Sequence, residues 1–247
     1  RFGEAGSTVV IEEFMEGEEA SLLAFVDGKI VVPMVASQDH KRIFDGDKGP
    51  NTGGMGTYAP APVLTDALRD EAMKTILEPM VAAMEKEGMP YVGCLYAGLM
   101  ITPQGPKVVE FNARFGDPET QVVLPLLDSD LGQIMMACAT GTLTADMVKW
   151  KDSSAACVIL ASKGYPETSS KGDIISGDIK QHDTTIVFHS GTKLIGDEYV
   201  TNGGRVLGVV GLGKDLRTAL DRAYGRIEHI DFEGMQYRTD IGAKAFK

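Results

Sequence analysis

The sequence predicts an α+β fold with mostly antiparallel strands, and three observations lead to this prediction. Apolar runs near the start of the chain are separated by short turns, as in β-hairpins. Residues 65–86 carry apolar side chains at helical spacing. After about residue 150, short apolar runs alternate with glycine-containing turns. Hairpins and helices that follow one another in separate blocks indicate an α+β protein.

The strands are expected where apolar and β-branched residues cluster. The first three are separated by a glutamate-rich turn and by Asp27-Gly28, a favourable hairpin turn. Residues 37–62 are polar and glycine-rich, and a loop of this length inside a compact protein is usually functional. The predicted strands are residues 8–14, 20–26, 29–35, 91–102, 107–112, 155–161, 185–189, 199–201 and 205–210.

Three helices are expected. Thr65 is a good amino-terminal cap for a helix that runs to about Lys86 and stops at Gly88. Its predicted buried stripe comprises Leu68, Ala72, Ile76, Met80 and Ala83. Further helices are predicted at 131–140, ending at Gly141, and at 215–229. The glycines at 208, 211 and 213 do not have dinucleotide-binding spacing and instead predict close packing of a strand on the last helix.

Length and composition narrow the functional classes. A chain of 247 residues exceeds one average domain, so we expect two units, residues 1–150 and 151–247. The net charge of −11 disfavours binding to nucleic acid or to an anionic membrane, because both use clustered Lys and Arg. No apolar run approaches the roughly 20 residues of a bilayer span. Cys94, Cys138 and Cys157 lie far apart in apolar surroundings, which predicts reduced thiols and a cytoplasmic location.

The most informative motif is the end of the strand at 107–112 with the segment that follows it. Glu110 and Asn112 lie two residues apart, so they share one face of the strand and can offer hard oxygen ligands to Mg²⁺. Arg114 can direct a fork of donors at phosphoryl oxygens. Together they suit phosphoryl transfer. A strand end with a surface Glu and Arg is the alternative interpretation.

A second motif covers residues 10–19. A strand that continues into a linker near Glu12, Glu13 and Phe14 can present its main chain to the edge of adenine. A following carboxylate, best matched by Glu19, can accept hydrogen bonds from ribose hydroxyls. Without further context, a glutamate-rich turn is more often solvated surface.

A third motif is the predicted loop at 37–62. Lys41, Arg42 and Lys48 are followed by Gly53 and Gly54, whose main chain can approach a ligand closely. Such a loop suits a mobile lid over phosphates and a small carboxylate substrate. A solvated loop of mixed charge is the alternative interpretation.

Together and in this order, the three motifs resemble the phosphoribosylamine–glycine ligases, also called glycinamide ribonucleotide synthetases, of the ATP-grasp superfamily. The resemblance covers essentially the whole chain, and its most specific parts are the segments at 40–56 and 110–120. It implies an ATP-grasp large lobe followed by a small, strand-rich carboxy-terminal domain. It also implies ATP-dependent ligation of glycine to 5-phosphoribosylamine through glycyl phosphate in purine biosynthesis, with ATP and Mg²⁺ or Mn²⁺ as cofactors.

The resemblance also implies roles for individual residues. The metal ligands would be Glu110 and Asn112, the catalytic residues Arg114 and Lys48, the nucleotide-binding residues Glu12, Glu13, Phe14 and Glu19, and the substrate-binding residues Asp45, Asp47, Gly53, Gly54 and Asp117. Many ATP-grasp proteins have a metal-binding carboxylate on the preceding strand. This sequence has Tyr96, Ala97 and Gly98 there, which leaves a third protein ligand unassigned.

Family members carry an amino-terminal domain for the phosphoribosyl substrate and phosphate-contacting lysines, and neither precedes Arg1. We therefore expect this chain to be the carboxy-terminal portion of a ligase, inactive alone, whose partner is the missing amino-terminal region of the same protein. Two alternatives remain: an ATP-grasp carboxylate–amine ligase with other substrates, and a non-catalytic nucleotide-binding module.

Overall fold

A computed structural model describes residues 3–246, and it confirms the α+β class. The strands are β1 (Glu18–Asp27), β2 (Val31–Pro33), β3 (Gln38–Asp39), β4 (Arg42–Phe44), β5 (Lys48–Asn51), β6 (Gly56–Ala59), β7 (Val92–Thr102), β8 (Gly105–Asn112), β9 (Ser154–Ala161), β10 (Ser176–Gly177), β11 (Thr185–His189), β12 (Thr192–Ile195), β13 (Glu198–Thr201), β14 (Arg205–Gly213) and β15 (Ile230–Asp231). The helices are α1 (Asp66–Ala72), α2 (Glu78–Lys86), α3 (Thr120–Val123), α4 (Leu131–Thr140) and α5 (Leu216–Ile227). A π-helical turn (Met73–Leu77) joins α1 to α2.

The first sheet has four antiparallel strands in the order β2-β1-β7-β8 and lies between helices. Alternate side chains of β1 point to opposite faces, and both faces are buried. Leu22 belongs to the core on the side of α1 and α2, whereas Phe25 belongs to the core on the side of α4. The sheet therefore holds the end of β8, with Glu110 and Asn112, on a rigid support.

The second sheet has five antiparallel strands in the order β11-β14-β9-β6-β3, and α5 packs against it. Asp215 caps α5 by accepting a hydrogen bond from the Thr218 amide at 2.8 Å. A Cβ at Gly211 would lie 2.0 Å from the carbonyl oxygen of Ala219, so glycine is required for this close approach. The predicted packing of a glycine strand on the last helix is confirmed.

The second sheet contains strands from both sides of residue 150. β3 and β6 lie before it, whereas β9, β11 and β14 lie after it. The division into residues 1–150 and 151–247 stays a prediction, and the shared sheet joins the two parts by backbone hydrogen bonds.

Two strand and loop predictions are wrong. Residues 8–14 form no strand, and Val10 and Ile11 are 83% and 91% exposed, because no other described strand pairs with this segment. Residues 37–62 are not a structureless loop but contain β3 to β6. The strands were not predicted because they are short and rich in polar residues and glycine. They form by pairing with one another, as Gln38 of β3 pairs with Tyr58 of β6.

The helix predictions are largely confirmed. Thr65 accepts a hydrogen bond from the Leu68 amide at 3.3 Å, and Gly141 ends α4 with a φ of 68°. The buried stripe of the first helix is displaced by about one residue from the prediction. Among its predicted members only Ala72 is buried, and the stripe continues with Met73, Leu77 and Val81.

The described helices are all too short or too polar to cross a membrane. The three cysteines are free and buried, as predicted. Burial raises the pKa of the Cys94 thiol to about 12.

Candidate functional site

A cavity of about 250 Å³ lies where β8 ends and its following segment meets the turn after β5. Strands β7 and β8 supply one wall, and the turn before Gly54 supplies the opposite wall. The lining residues are Asp39, Lys41, Thr52, Gly53, Tyr96, Glu110, Asn112, Arg114, Asp117 and Glu119. The cavity thus combines carboxylates, cations and an amide in one place.

The predicted strand-end motif lies in this cavity. The Asn112 Nδ2 donates to Glu110 Oε1 at 3.0 Å, so the two side chains lie on the same face of β8. Arg114 Nη1 donates to the carbonyl oxygen of Phe115 at 3.0 Å and stays exposed to solvent. This carboxylate, this amide and this guanidinium can face one ligand.

Two carboxylates line the cavity, the buried Glu119 and the half-buried Asp39. Glu119, only 3% exposed, accepts hydrogen bonds at Oε1 from Tyr96 (2.8 Å) and Ser21 (3.1 Å). Burial and the charge of Glu119 raise the pKa of Asp39 well above its usual range. Burial, together with Glu119, also raises the pKa of Tyr96. When two carboxyl groups lie close together with little solvent, repulsion between their charges disfavours ionisation of both at once.

Lys41 lines both this cavity and a neighbouring cavity of about 290 Å³. Its Nζ lies 2.9 Å from Glu19 Oε2. Burial alone would lower the pKa of Lys41, but the hydrogen bond and charge of Glu19 outweigh burial and raise it. Lys41 therefore stays charged between the two cavities.

The turn after β5 and the segment after β8 meet at the cavity rim. A Cβ at Gly54 would lie 2.5 Å from Pro118 Cδ and 2.7 Å from Asp39 Oδ1, and Gly54 has a φ of 113°. Arg205 donates to the carbonyl oxygens of Gly53 (2.6 Å) and Asp117 (2.8 Å). The predicted substrate-binding residues Gly53, Gly54 and Asp117 are therefore brought together.

The other residues of the third motif lie apart from this cavity. Asp47 contacts Lys244 Nζ at 2.7 Å and Arg238 Nη1 at 2.9 Å. Asp45 accepts a hydrogen bond from the Thr239 amide at 2.9 Å. Lys48 is exposed on β5. Their predicted substrate and catalytic roles stay predictions.

The second motif borders a third cavity of about 740 Å³. Glu13 and Phe14 line it, together with Lys107, and Lys107 Nζ lies 2.8 Å from Glu13 Oε1. Glu12 is exposed and outside this lining, whereas Glu19 lines the 290 Å³ cavity next to Lys41. Nucleotide contacts for these residues stay predictions.

The profile of the phosphoribosylglycinamide synthetase ATP-grasp (A) domain matches residues 1–120, and that of the phosphoribosylglycinamide synthetase C domain matches residues 155–244. The chain belongs to the phosphoribosylglycinamide synthetase family. The family assignment confirms the resemblance seen in the sequence.

Curated relatives of this chain are named phosphoribosylamine–glycine ligase. Phosphoribosylamine–glycine ligase of Caulobacter vibrioides is 55% identical over 250 residues, an alignment that covers 100% of this chain and 58% of the relative. The chain therefore spans less than two thirds of the length of the curated relatives it matches.

Solved structures confirm the ATP-grasp fold. The crystal structure of phosphoribosylamine–glycine ligase from Thermotoga maritima is 35% identical, with a TM-score of 0.82 over 94% of this chain and 57% of that one. A biotin carboxylase domain of Hydrogenobacter thermophilus 2-oxoglutarate carboxylase, in complex with MgADP and bicarbonate, shares only the fold. It is 14% identical, with a TM-score of 0.64 over 89% of this chain and 47% of that one.

The family implies a divalent metal, and the residues present fit one in part. Glu110 and Asn112 supply two hard oxygen ligands, which suit Mg²⁺ when phosphate and water oxygens complete the shell. Across residues 3–246, no group of three or more His, Cys, Asp or Glu side chains is arranged to hold a metal.

No individual role was predicted from the sequence for Asp39, Lys41, Glu119 or Arg205, which also line or border this cavity. Lys41 and Glu119 lie inside the informative segments and could have been included. Asp39 resembles any polar residue at the start of a loop. Arg205 has no local signal, because it reaches the cavity rim only through the fold of the second sheet.

Proposed function

We propose that the whole protein joins glycine to 5-phosphoribosylamine at the expense of ATP, giving glycinamide ribonucleotide, ADP and phosphate in purine biosynthesis. One observation carries the proposal: in a chain of this family, Glu110, Asn112 and Arg114 face the same cavity as Lys41. Oxygen ligands and cations so arranged suit a phosphoryl group that moves between two anions.

In the first step, a carboxylate oxygen of glycine forms a bond to the γ-phosphorus of ATP. The bond from that phosphorus to the bridging oxygen breaks, so ADP leaves and glycyl phosphate forms. Arg114 and Lys41 offset the negative charge that spreads over the transferring oxygens. Gly53 and Asp117 orient glycine at the rim.

In the second step, the amine of 5-phosphoribosylamine attacks the carbonyl carbon of glycyl phosphate. The carbon–oxygen bond to phosphate breaks, phosphate leaves with the bonding electrons, and the nitrogen loses a proton. No nucleophile of the protein takes part. Catalysis rests on positioning and on exclusion of water.

We propose that ATP binds with its phosphates toward Glu110 and its adenosine toward Glu13, Phe14 and Glu19. When bound, Mg²⁺ or Mn²⁺ supplies positive charge that neutralises the phosphates. Glu110 and Asn112 hold the metal. The MgADP bound by the biotin carboxylase domain of Hydrogenobacter thermophilus supports a magnesium nucleotide in this fold.

The buried, free thiols support a reducing compartment, the cytoplasm. The domain boundary near residue 150 is part of the proposal, since the two family profiles match on either side of it.

The test is ADP release by the full-length protein with Mg-ATP. Release that requires both glycine and 5-phosphoribosylamine is the expected result. Omission of each substrate in turn and replacement of glycine by alanine are the controls. A folded protein that binds nucleotide but releases no ADP, or releases ADP equally with other acids, contradicts the proposal.

A further inference from the structure

Arg205 lies at the start of β14, in the part of the chain matched by the C-domain profile, yet its side chain reaches the cavity rim. A register irregularity between Arg205 and Leu207 interrupts the pairing of β14 with β9. Such bulges turn a side chain away from the regular pleat. The Arg205 side chain is 21% exposed, so it is largely desolvated where it makes its contacts.

One guanidinium group joins two separate segments of the cavity rim. Arg205 Nη1 donates to the carbonyl oxygens of Gly53 at 2.6 Å and Asp117 at 2.8 Å. Its Nη2 lies 3.0 Å from Asp117 Oδ2. Gly53 belongs to the turn after β5, and Asp117 to the segment after β8. The planar fork of arginine can satisfy three such acceptors, whereas a lysine ammonium lacks this geometry.

Tyr165 contacts Gly53 at its amide group, whereas Arg205 contacts its carbonyl group. The Tyr165 hydroxyl accepts a hydrogen bond from the Gly53 amide at 2.9 Å. The ring rests on Gly204, where a Cβ would lie 2.2 Å from Tyr165 Cδ2. A Cβ at Gly53 would lie 2.9 Å from Arg205 Cζ. Gly53 is therefore fixed at both its N–H and its C=O by residues from beyond position 150.

We infer that Arg205, assisted by Tyr165, is a positioning residue for the cavity that contains Glu110. It sets the distance between Gly53 and Asp117, and so couples the carboxy-terminal part of the chain to the chemistry of the ATP-grasp part. The inference rests on the proposed function for its kinetic consequence. Its structural consequence, a fixed Gly53 turn, is independent of the substrate.

The test uses Arg205→Lys and Arg205→Ala in the full-length protein, with Arg217→Lys as the matched control. Arg217 is an exposed arginine of α5 whose guanidinium lies 4.4 Å from the centre of the Phe246 ring, outside the site. We expect Arg205→Lys to lower kcat about 10- to 100-fold, because misplacement of positioning groups by about 1 Å has effects of that size. The KM for ATP should change little. Added guanidinium should restore part of the kcat of Arg205→Ala.

Hydrogen exchange supplies a readout that does not depend on turnover. In Arg205→Lys and in Tyr165→Phe, amides at residues 52–54 should exchange faster, whereas amides of the first sheet should not. If wild-type protein fails to release ADP, the proposed function fails while exchange still tests the positioning role.

Two results overturn the inference. One is that Arg205→Lys keeps a kcat within about twofold of wild type and an unchanged amide exchange rate at residues 52–54. So small a change in kcat would not reflect lost positioning. The other is a general loss of stability, with faster exchange throughout and no rescue by guanidinium, since this is what a purely structural arginine would give.

Discussion

His40 should make the stability of this protein sensitive to acid. The ring is buried next to the site residues Asp39 and Lys41. Its Nδ1 donates to the carbonyl oxygen of Gly56 at 3.2 Å, and its Nε2 accepts from the Gly242 amide at 3.4 Å. The ring is therefore satisfied as a neutral imidazole. A second proton would remove the acceptor that the Gly242 amide uses.

The size of the effect follows from the pKa. Burial lowers the pKa of His40 from 6.5 to about 4, and the nearby charges of Arg238 and Lys244 act in the same direction. The bond to Gly56 and the charge of Asp47 oppose this decrease. Because the folded pKa is depressed, the neutral ring contributes stability that is present above pH 6.5 and is lost as pH falls toward 4. The difference between these two pKa values corresponds to about 3 kcal/mol of unfolding free energy.

The assay is urea unfolding of wild type and His40→Asn, followed by circular dichroism at several values between pH 7.5 and 4. Asparagine keeps a donor for Gly56 but carries no titratable proton. The stability difference between the two proteins should therefore decrease by about 3 kcal/mol across this range. His229→Asn, at an exposed histidine, is the matched control variant. Parallel curves for His40→Asn and wild type would refute the reasoning.

Three further predictions concern the site and the packing of the second sheet. Glu110→Gln should lower turnover of the full-length protein about 100-fold and raise the Mg²⁺ concentration needed for half the maximal rate, because the carboxylate charge holds the metal. Gly211→Ala, in β14, should reduce the unfolding free energy by about 2–3 kcal/mol, because the new Cβ would overlap with α5. Gly225→Ala, in α5 with open space around it, should raise the unfolding free energy by about 0.5–1 kcal/mol. Asp39→Asn should raise stability at neutral pH: the folded state raises the pKa of Asp39, so its ionisation costs stability as pH rises above the usual carboxyl range.

Each of these predictions has a result that contradicts it. Unchanged metal dependence in Glu110→Gln would mean that the carboxylate is not a ligand. Equal stabilities of the two alanine variants, measured by urea unfolding, would mean that the glycine strand can move away from the helix. Lower stability of Asp39→Asn at pH 7 would mean that the ionised carboxylate gains more from Lys41 than burial costs it.

The shared position of the strand-end residues could be predicted from the sequence. Glu110, Asn112 and Arg114 share a strand end, so a period of two was enough to bring them together. Asp39 and Glu119 are separated by 80 positions, and only packing of the two sheets makes their carboxylates interact. The role of Arg205 could not be predicted at all, because a single arginine at the start of a strand forms no recognisable motif. Its side chain reaches the cavity rim only when β14 pairs within the second sheet.

The α+β class, most strand and helix positions, the family and the strand-end motif could be read from the amino-acid sequence. These features depend on local periodicity, on caps such as Thr65 and Gly141, and on contiguous residues. Three features required the folded structure: residues 8–14 form no strand, residues 37–62 contain four short strands, and β6 pairs with β9 across residue 150. A strand forms only through hydrogen bonds to a partner strand, and which strand becomes the partner depends on the whole fold.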